Sequence, residues 1–242
     1  KHRRYKHCDS QHLECLAKQN KPDFIVTESV FSMEGDLAPI GDLVDLAKKH
    51  NAGLLIDDAH GIGVLGKSGA GVADLYGISQ ASFSCLTLPL GKAFNAMGAI
   101  VAGRSEVIEM VLQFAKTYRY TTALPPAICH AVRSTLAIIQ EENWRRERLR
   151  ENSIFFASYA VEKELDLISI DETPIKAIVI QSHSKLLSIQ KKLLEKGFFV
   201  SAIRPPTVPE NKARLRISLN SLHTQDHIMQ LIDNIVLGLK QC

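Results

Sequence analysis

The residues best able to do chemistry lie in two short phrases of the first half of the chain. Asp57-Asp58-Ala59-His60-Gly61 follows an apolar run and puts two carboxylates and an imidazole side by side. Such a cluster can begin a metal site, and with Ser32 upstream it offers the residue types of a hydrolase triad; a polar turn closing a strand would look the same. A metal site needs three or four ligands, and no second cluster of His, Asp or Glu stands out in the sequence. The overlapping stretch Gly61-Ile62-Gly63-Val64-Leu65-Gly66-Lys67-Ser68 matches the phosphate-loop pattern GxxxxGK[ST]. A phosphate loop must open into a helix whose N-terminus meets the phosphates. Here Gly69-Ala70-Gly71 follows, resisting helix by about 1 kcal/mol per Gly, and no later apolar strand ending in Asp offers a magnesium partner. Lys92, in Leu90-Gly91-Lys92-Ala93-Phe94-Asn95, stands between the apolar runs 83–88 and 98–102. Desolvated there, its amine would be neutral and nucleophilic; exposed on a loop, it would be an ordinary lysine. What favours chemistry is the combination: a strand-end carboxylate, a His three residues on, and a Lys 35 residues after Asp57 (92 − 57 = 35). Pyridoxal phosphate needs a lysine to hold it and a carboxylate to keep its pyridine nitrogen protonated as an electron sink.

These residues need a scaffold, and the pattern around them supplies one. Phe24-Ile25-Val26-Thr27 is a short β-rich run, and residues 39–50 carry Ile40, Leu43, Val44 and Ala47 at helical spacing, with Pro39 at the first helical position and Asn51-Ala52-Gly53 as the stop. Leu54-Leu55-Ile56 is an apolar strand running into Asp57. Strands over 83–88 and 98–102 follow, then a helix from Ser105, read as its N-cap, to about Tyr118, with Glu106 and Glu109 near its positive end. Alternating apolar strands and helices predict an α/β fold: a mostly parallel sheet with helices on both faces, which collects ligands at the carboxyl ends of its strands. Residues 125–164 read as largely helical, and the mixed charges of Glu141-Glu142-Asn143-Trp144-Arg145-Arg146-Glu147-Arg148 as a solvated face. Strand 177–181, helix 184–196 stopped by Gly197, strands 198–203 and 215–219 and helix 224–240 then form a smaller α/β module. The expected division is a large domain over 1–149 and a small C-terminal domain over 150–242.

Composition narrows the class. The 242 residues carry 29 Lys+Arg against 26 Asp+Glu, a net charge of +3, too balanced for a nucleic-acid binder. With 45% hydrophobic and 23% charged residues the chain is globular in type. No apolar run approaches the roughly 18 residues of a membrane span. The five cysteines, Cys8, Cys15, Cys85, Cys129 and Cys242, are odd in number and in no CxxC spacing, so a disulfide framework is not expected and a reducing, cytoplasmic setting is the default. The chain opens on Lys1 without Met or leader, as if entered partway.

Four phrases together resemble the α-oxoamine synthases among the fold-type I pyridoxal phosphate enzymes: Thr27-Glu28-Ser29-Val30-Phe31-Ser32-Met33-Glu34-Gly35-Asp36, Asp57-Asp58-Ala59-His60-Gly61, Leu90-Gly91-Lys92-Ala93, and Ala202-Ile203-Arg204-Pro205-Pro206-Thr207-Val208-Pro209. They stand in the family's order and approximate spacing, and the resemblance runs from near Lys1 to the C-terminus. The last phrase, followed by Ala213-Arg214-Leu215-Arg216, is similar to the branch that makes 8-amino-7-oxononanoate for biotin; sister branches, such as the one making 2-amino-3-oxobutyrate, usually differ at Arg204.

The resemblance implies a pyridoxal 5'-phosphate enzyme that condenses L-alanine with a pimeloyl thioester, carried on coenzyme A or on a carrier protein, with loss of CO2. It implies Lys92 as the residue that holds the cofactor and moves the alanine α-proton, Asp57 as the partner of the pyridine nitrogen, and His60 and Ser32 as hydrogen-bond partners of the cofactor's phenolic oxygen. Thr207, Arg204 and Glu28 would belong to the substrate-binding set, and Arg216 would take the amino-acid carboxylate, for which a guanidinium fork is suited. Thr121 and Thr122 would reach the phosphate in a neighbouring subunit, implying a homodimer with a shared active site. One position departs from the family: where a Thr three residues before the lysine usually contacts the phosphate, this chain has Pro89, which has neither hydroxyl nor N–H, with Thr87 the nearest hydroxyl on the same strand. The family's ring-stacking residue, glycine-containing phosphate loop and N-terminal substrate arginine would lie upstream of Lys1, so the expectation is a C-terminal portion of such an enzyme, and a portion lacking those parts of the site could be inactive.

Overall fold

The computed structural model describes residues 2–241. Lys1, which opens the basic N-terminal run, and Cys242, the fifth cysteine, lie outside the described residues. The chain forms two compact units: residues 1–30 with 38–143, and residues 31–37 with 144–242. The short segment Phe31–Leu37 therefore belongs with the C-terminal unit although its sequence neighbours on both sides do not.

The first unit is built on helix α1 (Ser10–Asn20), strand β1 (Phe24–Glu28), helix α2 (Ile40–His50), strand β2 (Gly53–Asp57), the short helix α3 (Val72–Tyr76), strands β3 (Cys85–Pro89) and β4 (Ala99–Gly103), and helices α4 (Ser105–Phe114), α5 (Lys116–Arg119) and α6 (Pro126–Glu141). The described residues form a sheet in the order β1-β2-β3-β4. β1, β2 and β3 run parallel, with Glu28 level with Asp57 and Asp57 level with Thr87. α2 forms because Ile40, Leu43, Leu46 and Ala47 make one apolar stripe, all buried, and it stops where Asn51 turns left-handed and returns its N–H to Ala47. Pro39 sits at the cap just before the helix, one position earlier than its spacing predicts.

The sheet is mostly parallel, as expected, with one antiparallel edge, and one helix boundary changes. β4 pairs with β3 antiparallel, Pro89 opposite Ala99, because residues 90–98 are too few for the dozen-residue crossover that a parallel partner requires. Ser105 begins α4 rather than capping it: Arg104 is the cap residue, and the helix ends at Phe114, a break at Ala115 separating it from α5.

The second unit contains helix α7 (Asn143–Glu162), strand β5 (Ile175–Gln181), helix α8 (His183–Glu195), strands β6 (Ser201–Ile203) and β7 (Ala213–Ser218) and helix α9 (Gln225–Lys240). Its sheet runs β5-β7-β6, antiparallel throughout. Phe156 and Ala160 from α7, Ile178 and Leu215 from the sheet, Leu186 and Ile189 from α8, and Ile228, Ile232 and Ile235 from α9 close one apolar core. α9 starts on a capping box between Thr224 and His227. Among the described residues no helix is long and apolar enough to cross a membrane, and Cys8, Cys15, Cys85 and Cys129 form no disulfide.

Candidate functional site

The parallel strands of the first unit bring the predicted residues to one end of the sheet. Glu28 closes β1, Asp57 closes β2, and Lys92 stands three positions past the end of β3. The ladder continues past the strand ends, Ser29 N–H donating to Asp57 O and Asp58 N–H to Thr87 O, both at 2.8 Å, so this edge is held by backbone bonds. Asp57 is half-buried, and its Oδ1 accepts the Ala59 N–H at 2.9 Å. That bond fixes the rotamer and leaves Oδ2 for another partner. His60, half-buried, follows on the same turn.

Asp58, one residue on, points the other way and is fully buried. Its Oδ2 accepts the Val72 N–H at the start of α3 at 3.0 Å, and its backbone carbonyl accepts the N–H groups of Gly61 and Ile62. Gly61 and Gly71 are glycines because of this carboxylate: a Cβ on either would come within 1.9 Å of an Asp58 oxygen. Gly63, Gly66, Gly69 and Gly71 all have positive φ, from 76° to 80°, which side chains disfavour. The phosphate-loop look-alike is thus a turn wrapped around a buried acid. Burial pushes the Asp58 carboxyl up to about 6. The Ser29 hydroxyl and the Val72 N–H pull the other way, and the Asp57 charge adds to the rise. Ser29 Oγ acts at short range without meeting hydrogen-bond geometry: it and Asp58 Oδ1 are both buried without a hydrogen-bond partner.

Lys92 lies in the β3–β4 loop with its side chain exposed, not desolvated between strands as the flanking apolar runs suggest. The loop leaves the sheet before Lys92 is reached, so the apolar runs bury their own residues, such as Leu90 and Phe94, and not the lysine. Pro89 ends β3, and the Thr87 hydroxyl is spent on Ile56 O at 3.3 Å. Thr121 and Thr122 are exposed in the coil after α5, and the Thr121 hydroxyl donates to Thr117 O at 2.6 Å.

The remaining predicted residues are in the second unit. Arg216 on β7 is half-buried; its Nε donates to Ser32 O at 2.6 Å and its Nη1 to Ser218 Oγ at 3.2 Å, leaving N–H groups on both Nη atoms. Burial lowers its pKa. Arg204 and Thr207 are exposed on the loop after β6, where the Thr207 N–H closes a turn on Arg204 O at 3.0 Å. Arg214, which sequence reasoning passed over, is 3% exposed and donates to Glu34 Oε1 at 2.8 Å and Met33 O at 3.2 Å. The signal was available: Arg214 and Arg216 alternate with Leu215, so both arginines share one face of β7.

Comparison with known proteins decides the family. The aminotransferase class I and II family matches residues 1–235. The chain belongs to this family. Among the class I and II members it resembles are 8-amino-7-oxononanoate synthases of Saccharophagus degradans, 43% identical over 96% of this chain and 59% of the relative, and of Methylococcus capsulatus, 42% identical over 99% and 62%. The chain thus spans about three fifths of these curated relatives. Solved family folds superpose closely. An 8-amino-7-oxononanoate synthase from Francisella tularensis gives a TM-score of 0.89 at 36% identity, covering 99% of this chain and 69% of that one. A serine palmitoyltransferase from S. paucimobilis with a bound PLP–myriocin aldimine gives 0.91 at 25% identity, covering 98% and 61%.

Proposed function

We propose that this chain carries cofactor-holding and substrate-binding residues of an 8-amino-7-oxononanoate synthase, a pyridoxal 5'-phosphate acyltransferase that joins L-alanine to the acyl group of a pimeloyl thioester, releasing CO2 and the free thiol carrier. The observation that carries the reading is the strand-end set Asp57, His60 and Lys92, on a chain about 40% identical to such synthases over nearly its whole length. The donor set fits the cofactor's ring: Asp57 keeps Oδ2 for a ring nitrogen, and the exposed Lys92 amine makes no hydrogen bond or ion pair among the described residues. It fits the phosphate less directly, since Pro89 offers no donor and the Thr87 hydroxyl is committed to the sheet.

When bound, pyridoxal phosphate supplies an electron sink for charge developing at the alanine α-carbon. The protein's own part divides as follows. Asp57 Oδ2 holds a proton on the ring nitrogen, and His60 and Ser32 hydrogen-bond the phenolic oxygen. Lys92 Nζ holds the cofactor and then takes the alanine α-proton as general base. Arg216 offers its remaining N–H groups to the alanine carboxylate, and Arg204, Thr207 and Glu28 bind substrate. Thr121 and Thr122 serve the phosphate of a second copy, making the working form a homodimer in the cytoplasm.

The test is donor choice. Supplied with L-alanine and pyridoxal phosphate, the protein is expected to release CO2 with pimeloyl thioesters and to discriminate against acetyl, succinyl and palmitoyl ones; turnover confined to one of the latter refutes the assignment. A long-chain donor is the specific second reading, favoured by the TM-score of 0.91 with the serine palmitoyltransferase. Lys92→Ala is expected to abolish the visible absorption band that borohydride bleaches; a band that survives unchanged refutes the lysine's role.

A further inference from the structure

The segment Phe31–Leu37 leaves the first unit's sequence and is strapped onto the second. It folds back on itself, Phe31 N–H to Asp36 O at 3.0 Å and Gly35 N–H to Phe31 O at 2.8 Å. One end is held by Asp171, whose Oδ2 accepts the Leu37 N–H at 2.8 Å, and by the Thr173 hydroxyl on Gly35 O. The other end is held by the two arginines of β7: Arg216 takes Ser32 O, and Arg214 takes Met33 O and the Glu34 carboxylate. Gly35 is wedged against β5, where a Cβ would lie 2.1 Å from Ile175 O.

We propose that Arg214 is a positioning residue for Ser32: its buried guanidinium, clamped on Glu34 and Met33, fixes the strap so that the Ser32 hydroxyl keeps one place. The inference rests on the reading of Ser32 as a partner of the cofactor's phenolic oxygen. The chemistry favours a rigid clamp. At 3% exposure the Arg214 guanidinium has little water to replace Glu34. The pair is therefore made continuously, and the residues on either side of it inherit that order. Ser32 lies two positions from Glu34, with its own carbonyl taken by Arg216, so its backbone is held from both directions.

The test compares Glu34→Gln, which keeps an acceptor and removes the charge, Arg214→Lys, which keeps the charge and removes the fork, and Ser32→Ala as reference. Without added cofactor, amide exchange at Gly35 and Leu37 is expected to rise about tenfold in Glu34→Gln, the equivalent of one charge-assisted hydrogen bond; unchanged exchange overturns the clamp. With pyridoxal phosphate bound, the pH midpoint of the visible band is expected to move in Glu34→Gln in the same direction as in Ser32→Ala, with Arg214→Lys between them and wild type. A midpoint that stays at wild type in both clamp variants while Ser32→Ala moves it overturns the positioning role and leaves a stabilising pair only. A midpoint unmoved by Ser32→Ala, or a protein that takes up no cofactor, instead overturns the reading of Ser32 on which the inference stands, while the exchange result still judges the clamp. If a single variant fails to fold, Glu34→Met combined with Arg214→Met removes both charges together, and a wild-type midpoint in that protein is equally adverse.

Discussion

Replacing Asp58 by Asn should abolish a specific pH dependence of stability. The folded carboxyl titrates at about 6 against an ordinary 3.8. Near pH 3 the acid is protonated in both folded and unfolded chains and contributes no pH dependence. Between about pH 4 and pH 6 the unfolded chain releases its proton while the folded one keeps it, so the folded state binds more protons and stability falls as pH rises. A difference of about two pH units at 1.36 kcal/mol each gives a total loss of about 3 kcal/mol by pH 7. Asparagine has the same shape, its Oδ1 can still accept the Val72 N–H, and its amide would face the unpartnered Ser29 hydroxyl; it carries no charge to desolvate. The assay is urea unfolding of both proteins at about pH 4, 5, 6 and 7. The stability of Asp58→Asn relative to wild type should rise by about 2.4 kcal/mol across that series, most steeply between pH 4 and 6. Taking the difference between the two proteins cancels the other titrating groups. A difference that stays flat with pH would mean that the Asp58 carboxyl is ionised in the folded state at little cost, and the account of the glycine turn as a wrapper for a buried acid would fail.

Gly35→Ala should destabilise the second unit by about 3 kcal/mol, because φ is +80° and the new methyl would meet the Ile175 carbonyl at 2.1 Å; a denaturation midpoint equal to wild type counts against the strap geometry. Phe156→Ala, emptying a fully buried position in the α7–α8–α9 core, should cost about 3–5 kcal/mol in the same measurement, and a loss under about 1 kcal/mol would show that the core collapses onto the gap.

Local periodicity made much of the scaffold legible. The stripe Ile40, Leu43, Ala47 wrote α2, and the apolar run before Asp57 wrote β2 and the strand end that carries the candidate chemistry. What periodicity lacks is direction and distance. It could not say that β4 returns antiparallel beside β3, which depended on the length of the 90–98 connection. It read residues 198–203 as one strand, whereas only Ser201–Ile203 pair with β7, and Phe199 is 88% exposed. An apolar neighbourhood in sequence left open a desolvated slot for Lys92 that the hairpin loop does not provide; the exposed alternative is the one observed. Arg214 was missed because a charged residue in a strand reads as solvent-facing, and its partner Glu34 lies 180 positions away. The GxxxxGK[ST] match misled for a related reason: glycines that clear room for the Asp58 carboxylate look, as a string, like glycines that clear room for a phosphate.

The strap has a consequence for how the molecule can be divided. A polypeptide cut at the start of α7 would contain every helix and strand of the second unit and still lack part of it. Expressed alone, residues 144–242 would bury the Arg214 guanidinium with no carboxylate opposite and expose the ledge of Ile175 where Gly35 rests. Supplying Phe31–Leu37 as a separate peptide would be the direct way to complete it. In the intact chain the second unit cannot finish folding until a segment made more than a hundred residues earlier has been captured, so the two units, although compact, do not mature as independent modules.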